Sequence, residues 1–131
     1  MKTLDRTTKY VVSVRDALTR RKHATNTEIL GDVRKTFPEV SATTVHRVTA
    51  RLLDSGEVRL APPGRNNAMR FDINPSAHDH FMCTVCERLR DTVFSPEIRS
   101  QIEGFVGNGC SISGDLTVTG VCKKCKRREQ A

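Results

Sequence analysis

Ser41-Ala42-Thr43-Thr44-Val45-His46-Arg47-Val48-Thr49-Ala50-Arg51-Leu52-Leu53-Asp54-Ser55-Gly56-Glu57-Val58-Arg59-Leu60 is the stretch on which the reading of the fold turns. Ser41 is a good N-cap residue, and Val45, Val48, Leu52 and Leu53 recur at helical spacing, so a helix is expected over 42–55. Gly56 supplies its C-terminal stop. Val58 and Leu60 then alternate with polar residues, as a half-buried strand does. Thr44, Arg47 and Arg51 stand at i, i+3 and i+7 beside the apolar stripe and face outward. Such side chains suit base edges and phosphates.

On the N-terminal side, Tyr10, Val11, Val14 and Leu18 mark a first helix over 8–21. Thr25 followed by Glu28 is a capping-box signature. It opens a second helix with Ile29, Leu30, Val33 and Phe37 on its buried stripe, ended by Pro38. On the C-terminal side the loop Pro62-Pro63-Gly64-Arg65-Asn66-Asn67 turns the chain, and Met69, Phe71 and Ile73 alternate inward, with Asp72 on the outer face. Three helices followed by a hairpin with a basic tip at Arg65 is the order of a winged helix-turn-helix, whose third helix enters the major groove. A small helical bundle with ordinary surface arginines is the plainer alternative.

The charge distribution favours the first of these. The chain has 131 residues, with 22 Lys plus Arg against 15 Asp plus Glu, a net charge of +7. Residues 1–73 hold 14 basic and 8 acidic side chains, whereas residues 74–131 hold 8 and 7. Five of those later basic groups sit in Lys123, Lys124, Lys126, Arg127 and Arg128, which read as a solvated tail. The excess in the first part is the electrostatic signature of a polyanion binder. Aromatics are sparse and there is no Trp, which argues against base stacking on single strands. No stretch approaches the ~18 apolar residues of a membrane helix, and the first ten residues are too polar for a secretion signal. A cytoplasmic protein is expected.

Asn74-Pro75-Ser76-Ala77 reads as a hinge, and the pattern then changes. Residues 78–83, 88–94 and 115–121 read as strands. Ser95-Pro96-Glu97 opens a helix continued by Ile98, Ile102 and Phe105 and ended by Gly107-Asn108-Gly109. The organisation is therefore an α+β chain of a winged-helix DNA-binding domain (1–73), a linker (74–77) and a second domain (78–131). Fewer than ~60 residues cannot bury a sufficient core alone, so the second domain calls for a metal staple and a partner chain.

Cys83-Thr84-Val85-Cys86 and Cys122-Lys123-Lys124-Cys125 are two C-x2-C pairs. Their four thiolates complete a tetrahedral site that suits zinc and leave no open position, which makes the site structural. Cys110 is the odd cysteine. His78 and His80 face one side of a strand and Asp79 the other, and two imidazoles on one face invite a divalent ion. Asp72, Asp91 and His23 are candidate partners, though spacing alone does not gather these five into one site.

Together, Ser41-Ala42-Thr43-Thr44-Val45-His46-Arg47, Arg70-Phe71-Asp72, the string from His78 through Cys86 and the pair Cys122/Cys125 resemble the ferric uptake regulator family of bacterial metal-dependent repressors. The likeness runs from about Thr7 to Cys125. The resemblance implies a homodimer of winged-helix domains carried on an α/β dimerisation domain with a four-cysteine zinc site, and a double-stranded DNA operator as partner. It also implies a sensing metal, Fe2+ or Mn2+, held by His23, Asp72, His78, His80 and Asp91. Aspartate at both carboxylate positions makes this set most similar to the peroxide-responsive branch, in which iron-catalysed oxidation of a histidine ligand releases DNA. A further family site uses the acid at the position of Asp79 with a downstream histidine, and no histidine follows His80 here. His46 stands where a tyrosine is common in the recognition helix, while Arg47 matches. An iron- or zinc-responsive repressor is the nearest rival, and a zinc-ribbon module for nucleic acid is more distant. A metallohydrolase would need a general base that the sequence does not show, so no enzymatic activity is expected.

Overall fold

The computed structural model describes residues 6–129. The polar stretch before Arg6 therefore lies outside the described residues. The chain divides between Pro75 and Ser76 into two compact units.

In the first unit, α1 (Arg6–Arg21) buries Val14, Ala17 and Leu18. Lys22 stops it by entering the left-handed region at φ 68°, with its N–H donated to the Leu18 carbonyl at 2.7 Å. The chain then makes a short strand, β1 (His23–Thr25), which the sequence reading did not anticipate. α2 (Asn26–Arg34) begins with the capping box: Thr25 Oγ1 accepts from the Glu28 N–H, and the Glu28 carboxylate accepts from the Thr25 N–H at 3.0 Å. It ends earlier than expected. The N–H groups of Thr36 and Phe37 both close on the Val33 carbonyl, at 3.1 and 2.8 Å, which tightens the last turn and frees Phe37 to meet the Tyr10 ring edge-on. α3 (Ala42–Asp54) is capped by Ser41 Oγ, which accepts from the Thr44 N–H at 3.1 Å.

The hairpin follows as β2 (Arg59–Ala61) and β3 (Arg70–Asp72), joined through a 3-10 turn at Arg65–Asn67. The sheet order is β1-β3-β2, all antiparallel. Because β3 is the central strand, all three of its residues are buried. Two expectations are thereby corrected. Asp72 is not on an outer face but only 1% exposed, opposite His23 in the register. Met69, expected inward, lies beyond the paired segment and is 54% exposed. The apolar core is made by the three helices with Ala24, Val58 and Phe71. This is the winged helix-turn-helix expected from the sequence.

The second unit is built on β4 (Asp79–Cys83), β5 (Leu89–Thr92) and β6 (Thr117–Gly120), ordered β5-β4-β6. β4 runs antiparallel to β5 and parallel to β6. The return connection carries α4 (Pro96–Val106), with Pro96 at its first turn and Ser95 Oγ accepting from the Ile98 N–H at 3.2 Å. The basic run read as a tail is instead a helix, α5 (Lys123–Glu129), which the buried Cys125 fastens while the Lys and Arg side chains stay exposed. Among the described residues no helix is long and apolar enough to cross a membrane.

Candidate metal centres and nucleic-acid interface

The four paired cysteines come together. Cys83 ends β4, Cys86 follows in the turn, and Cys122 and Cys125 flank the start of α5. Their sulfurs lie within 4.8 Å of one another, with Cys86 Sγ and Cys122 Sγ 3.9 Å apart. Tetrahedral Zn–S bonds of ~2.3 Å place sulfurs ~3.8 Å apart, so the cluster already has the dimensions of a closed thiolate site. Cys83 Sγ accepts N–H donors from Cys122 (3.4 Å), Cys86 (3.5 Å) and Val85 (3.4 Å). The Cys122 and Cys86 N–H groups, foremost, bring the Cys83 thiol down to about 6. Cys125 is pushed up to about 12 by its hydrogen bond to Cys122 and by burial. Four sulfurs at this spacing cannot all ionise without a cation among them, which is the electrostatic demand a zinc ion meets.

Candidate nitrogen and oxygen donors occur in both units. In the first, β1 and β3 put His23 opposite Asp72, with Nε2 3.5 Å from Oδ2. The other carboxylate oxygen accepts the Asn74 N–H at 2.9 Å. In the second, His78 and His80 have ring centroids 4.5 Å apart, and both Nε2 atoms face Asp91 Oδ1, at 3.3 and 3.4 Å. His78 Nδ1 sits 2.7 Å from the Ser76 carbonyl. A carbonyl oxygen only accepts, so Nδ1 carries a hydrogen and Nε2 is the ring atom turned toward the Asp91 carboxylate. Imidazole nitrogens and carboxylate oxygens converging in this way could hold a metal ion. Metal–ligand bonds of ~2.1 Å place neighbouring ligands ~3 Å apart, so a divalent ion fits each pair of donors.

The candidate nucleic-acid residues occupy the outer side of α3 and the tip of the hairpin. His46, Arg47 and Arg51 are exposed on α3, and Arg65 is exposed on the tip. Thr44 is half-buried, with its hydroxyl 3.0 Å from Ser41 Oγ.

Sequence reasoning missed three contributors. Arg70, 8% exposed, donates Nε to the Pro62 carbonyl and Nη2 to the Pro63 carbonyl, both at 2.9 Å, and so shapes the hairpin tip. It occupied an ordinary polar position in the alternation of Met69, Phe71 and Ile73, so nothing local marked it as buried. Thr49, buried on α3, donates its hydroxyl to Asn26 Oδ1 at 2.8 Å and locks α3 to the start of α2. Arg99 meets Asp79 across the second unit, and no local pattern announces that pair.

A winged helix followed by a small α/β unit with a thiolate cluster and imidazole–carboxylate groups is the arrangement of a metal-binding transcription regulator. Residues 6–114 match the ferric uptake regulator family, and the chain belongs to it. The peroxide-responsive repressor PerR of Staphylococcus epidermidis is 27% identical over 115 residues, covering 86% of this chain and 75% of that protein. The fold is that of the Helicobacter pylori ferric uptake regulator Fur, whose structure reveals three functional metal binding sites (TM-score 0.70, 22% identity, 96% of this chain and 83% of that one). It is similar also to the peroxide stress regulator of Campylobacter jejuni (TM-score 0.67, 26% identity, 91% and 90%).

Proposed function

We propose that this chain is a metal-dependent DNA-binding repressor that senses peroxide, acting in the cytoplasm as a homodimer on a double-stranded operator. The single observation that supports it most is the facing of imidazole nitrogens and carboxylates. His78 and His80 converge on Asp91, and His23 on Asp72, with aspartate at both carboxylate positions.

His23 and Asp72 would hold the regulatory Fe2+ or Mn2+ from the first unit, and His78, His80 and Asp91 from the second. The three imidazoles and two carboxylates suit either ion and leave a coordination position free. Fe2+ held there would supply the redox chemistry that activates peroxide; overall a ligand imidazole would gain one oxygen atom while the other leaves as water, the ring being oxidised and peroxide reduced by two electrons. Satisfying both ligand groups at once favours one arrangement of the two units, and a shift from mostly open to mostly closed requires about 5.5 kcal/mol of differential binding. In that arrangement Arg47, Arg51, His46 and Thr44 of α3 would meet the major groove, and Arg65 the adjoining backbone. Cys83, Cys86, Cys122 and Cys125 would hold a structural Zn2+. A second copy would cover the exposed Val93, Phe105, Val106 and Val118 of the second unit and pair with its edge strand β6.

The decisive test has two arms. His23→Ala should retain zinc and fold but lose metal-dependent operator binding in a fluorescence anisotropy titration; unchanged binding rules the bridge out. Peroxide should add 16 mass units, the ~16 Da of one oxygen atom, to a peptide containing His23 or His78/His80 in the iron form only. Equal modification of the manganese form, or none with iron while DNA binding persists, favours an iron- or zinc-responsive repressor without peroxide sensing.

A further inference from the structure

Asp79, the first residue of β4, lies between His78 and His80 but points away from them, and it is 1% exposed. Its carboxylate is fully engaged. Oδ2 accepts the Phe94 N–H at 2.9 Å, just past the end of β5. Oδ1 accepts the Leu116 N–H at 2.8 Å, where the chain comes back toward β6, and is ion-paired with the Arg99 guanidinium of α4. Arg99 also donates Nη1 to the Gly114 carbonyl at 3.1 Å. One buried carboxylate thus joins β4, the end of β5, α4 and the approach to β6. Two clusters among the described residues could hold a metal, and Asp79 is in neither.

We propose that Arg99 is the permanent counter-cation of Asp79, and that this pair positions β4 so that His78 and His80 present their imidazoles together on its opposite face. Asp79 is then a positioning residue and not a ligand. The chemistry favours this over a metal. A carboxylate with three donors already in place retains little acceptor capacity, and an incoming ion would have to displace a guanidinium that Gly114 also holds. A buried carboxylate with no cation would be costly, so the guanidinium is what allows Asp79 to stay charged inside the unit. Strand alternation transmits the effect. With Asp79 fixed at three points, residues 78 and 80 cannot rotate or slip in register without breaking all of them. Groups hydrogen-bonded directly to metal ligands typically contribute about 10- to 100-fold to metal affinity, and a pair that acts through the strand is expected at the lower end of that range.

The inference rests on reading His78 and His80 as ligands, and the experiment separates the two. Mn2+ is titrated into the zinc-loaded full chain and followed by electron paramagnetic resonance, with amide exchange of Phe94 and Leu116 measured in parallel. Wild type is expected to bind one Mn2+ per chain and to protect both amides. Arg99→Gln should keep its zinc but bind Mn2+ about tenfold more weakly and lose Leu116 protection. Arg99→Lys, a point charge that cannot bridge Asp79 and Gly114 together, should fall between, about threefold weaker than wild type. If the glutamine variant does not fold, the lysine variant against wild type decides. A wild type that binds no Mn2+ overturns the reading of the ligands. A wild type that binds two ions, one of them lost in Asp79→Asn, overturns the inference, as does an Arg99 series with unchanged affinity and protection.

Discussion

The two units of this chain are held together by different chemistry. Residues before Ser76 enclose a continuous hydrocarbon core, from Val14 and Leu18 through Ile29, Val45 and Leu52 to Phe71. The unit that follows contributes nothing to that core. Its buried residues are Cys83, Cys125, Leu89, His78, Asp79 and His80, while Phe105 is 92% exposed. One unit is stabilised chiefly by the removal of apolar surface from water. The other depends on thiolates, a buried ion pair and whatever covers its apolar surface. Size alone predicts such a division, since so short a segment cannot bury enough area by itself.

The largest effect expected from this contrast falls on the second unit. Cys125→Ser should abolish zinc binding and the amide protection of β4 and β6, while α1 and α3 remain protected. Structural zinc contributes on the order of 10 kcal/mol to such modules. Retention of β4 protection in the zinc-free variant would show that the sheet stands without its staple. Next comes Phe71→Ala, which removes a fully buried ring from the first unit and should cost about 3–5 kcal/mol in denaturant unfolding with zinc content unchanged. A cost below about 1 kcal/mol, or loss of zinc, would blur the boundary between the two kinds of stabilisation.

The smallest expected effect is electrostatic. Arg21 donates Nε and Nη2 to the two Asp32 oxygens, at 2.7 and 3.0 Å, and this hydrogen bonding, working against burial, holds the Asp32 carboxyl below its usual range. A group depressed by folding contributes stability above its unfolded value, near pH 4, and loses that contribution as pH falls through its folded value. Because the Arg21 side chain is well exposed, Asp32→Asn should cost only about 1 kcal/mol at pH 7, and the variant and wild type should converge below pH 4. A gap that persists at low pH would mean that packing, not charge, accounts for the difference.

What the sequence makes legible follows from how local each signal is. α1 and α3 show their apolar stripes, the Thr25–Glu28 box and the Ser41 cap announce themselves within four residues, and the two C-x2-C pairs need only their spacing. β1 has three residues and no alternation to read, because it exists by pairing with β3. The burial of Asp72 was hidden for the same reason: a strand recognised with one neighbour looks half-exposed until the second is known. Ile98, Ile102 and Phe105 marked a helix in the sequence, yet α4 has no fully buried residue: Ile102 is half-buried, while Ile98 and Phe105 are exposed. Spacing did not join the five candidate nitrogen and oxygen donors, and only resemblance to a family proposed the grouping. The pairing of Asp79 with Arg99, twenty residues apart, had no sequence signal at all.

The strand Arg70-Phe71-Asp72 carries three obligations in three consecutive residues. Arg70 is fastened to the carbonyls of the hairpin tip, Phe71 is set in the hydrocarbon interior, and Asp72 faces His23. None of them can shift along the strand without dragging the other two. A substitution at Asp72 therefore has little backbone freedom to draw on and must find its compensation across the sheet at His23. Mutant screens that score only loss of repression will find hits at all three positions and will be unable, from phenotype alone, to tell a ligand from a shape-holder or a core residue.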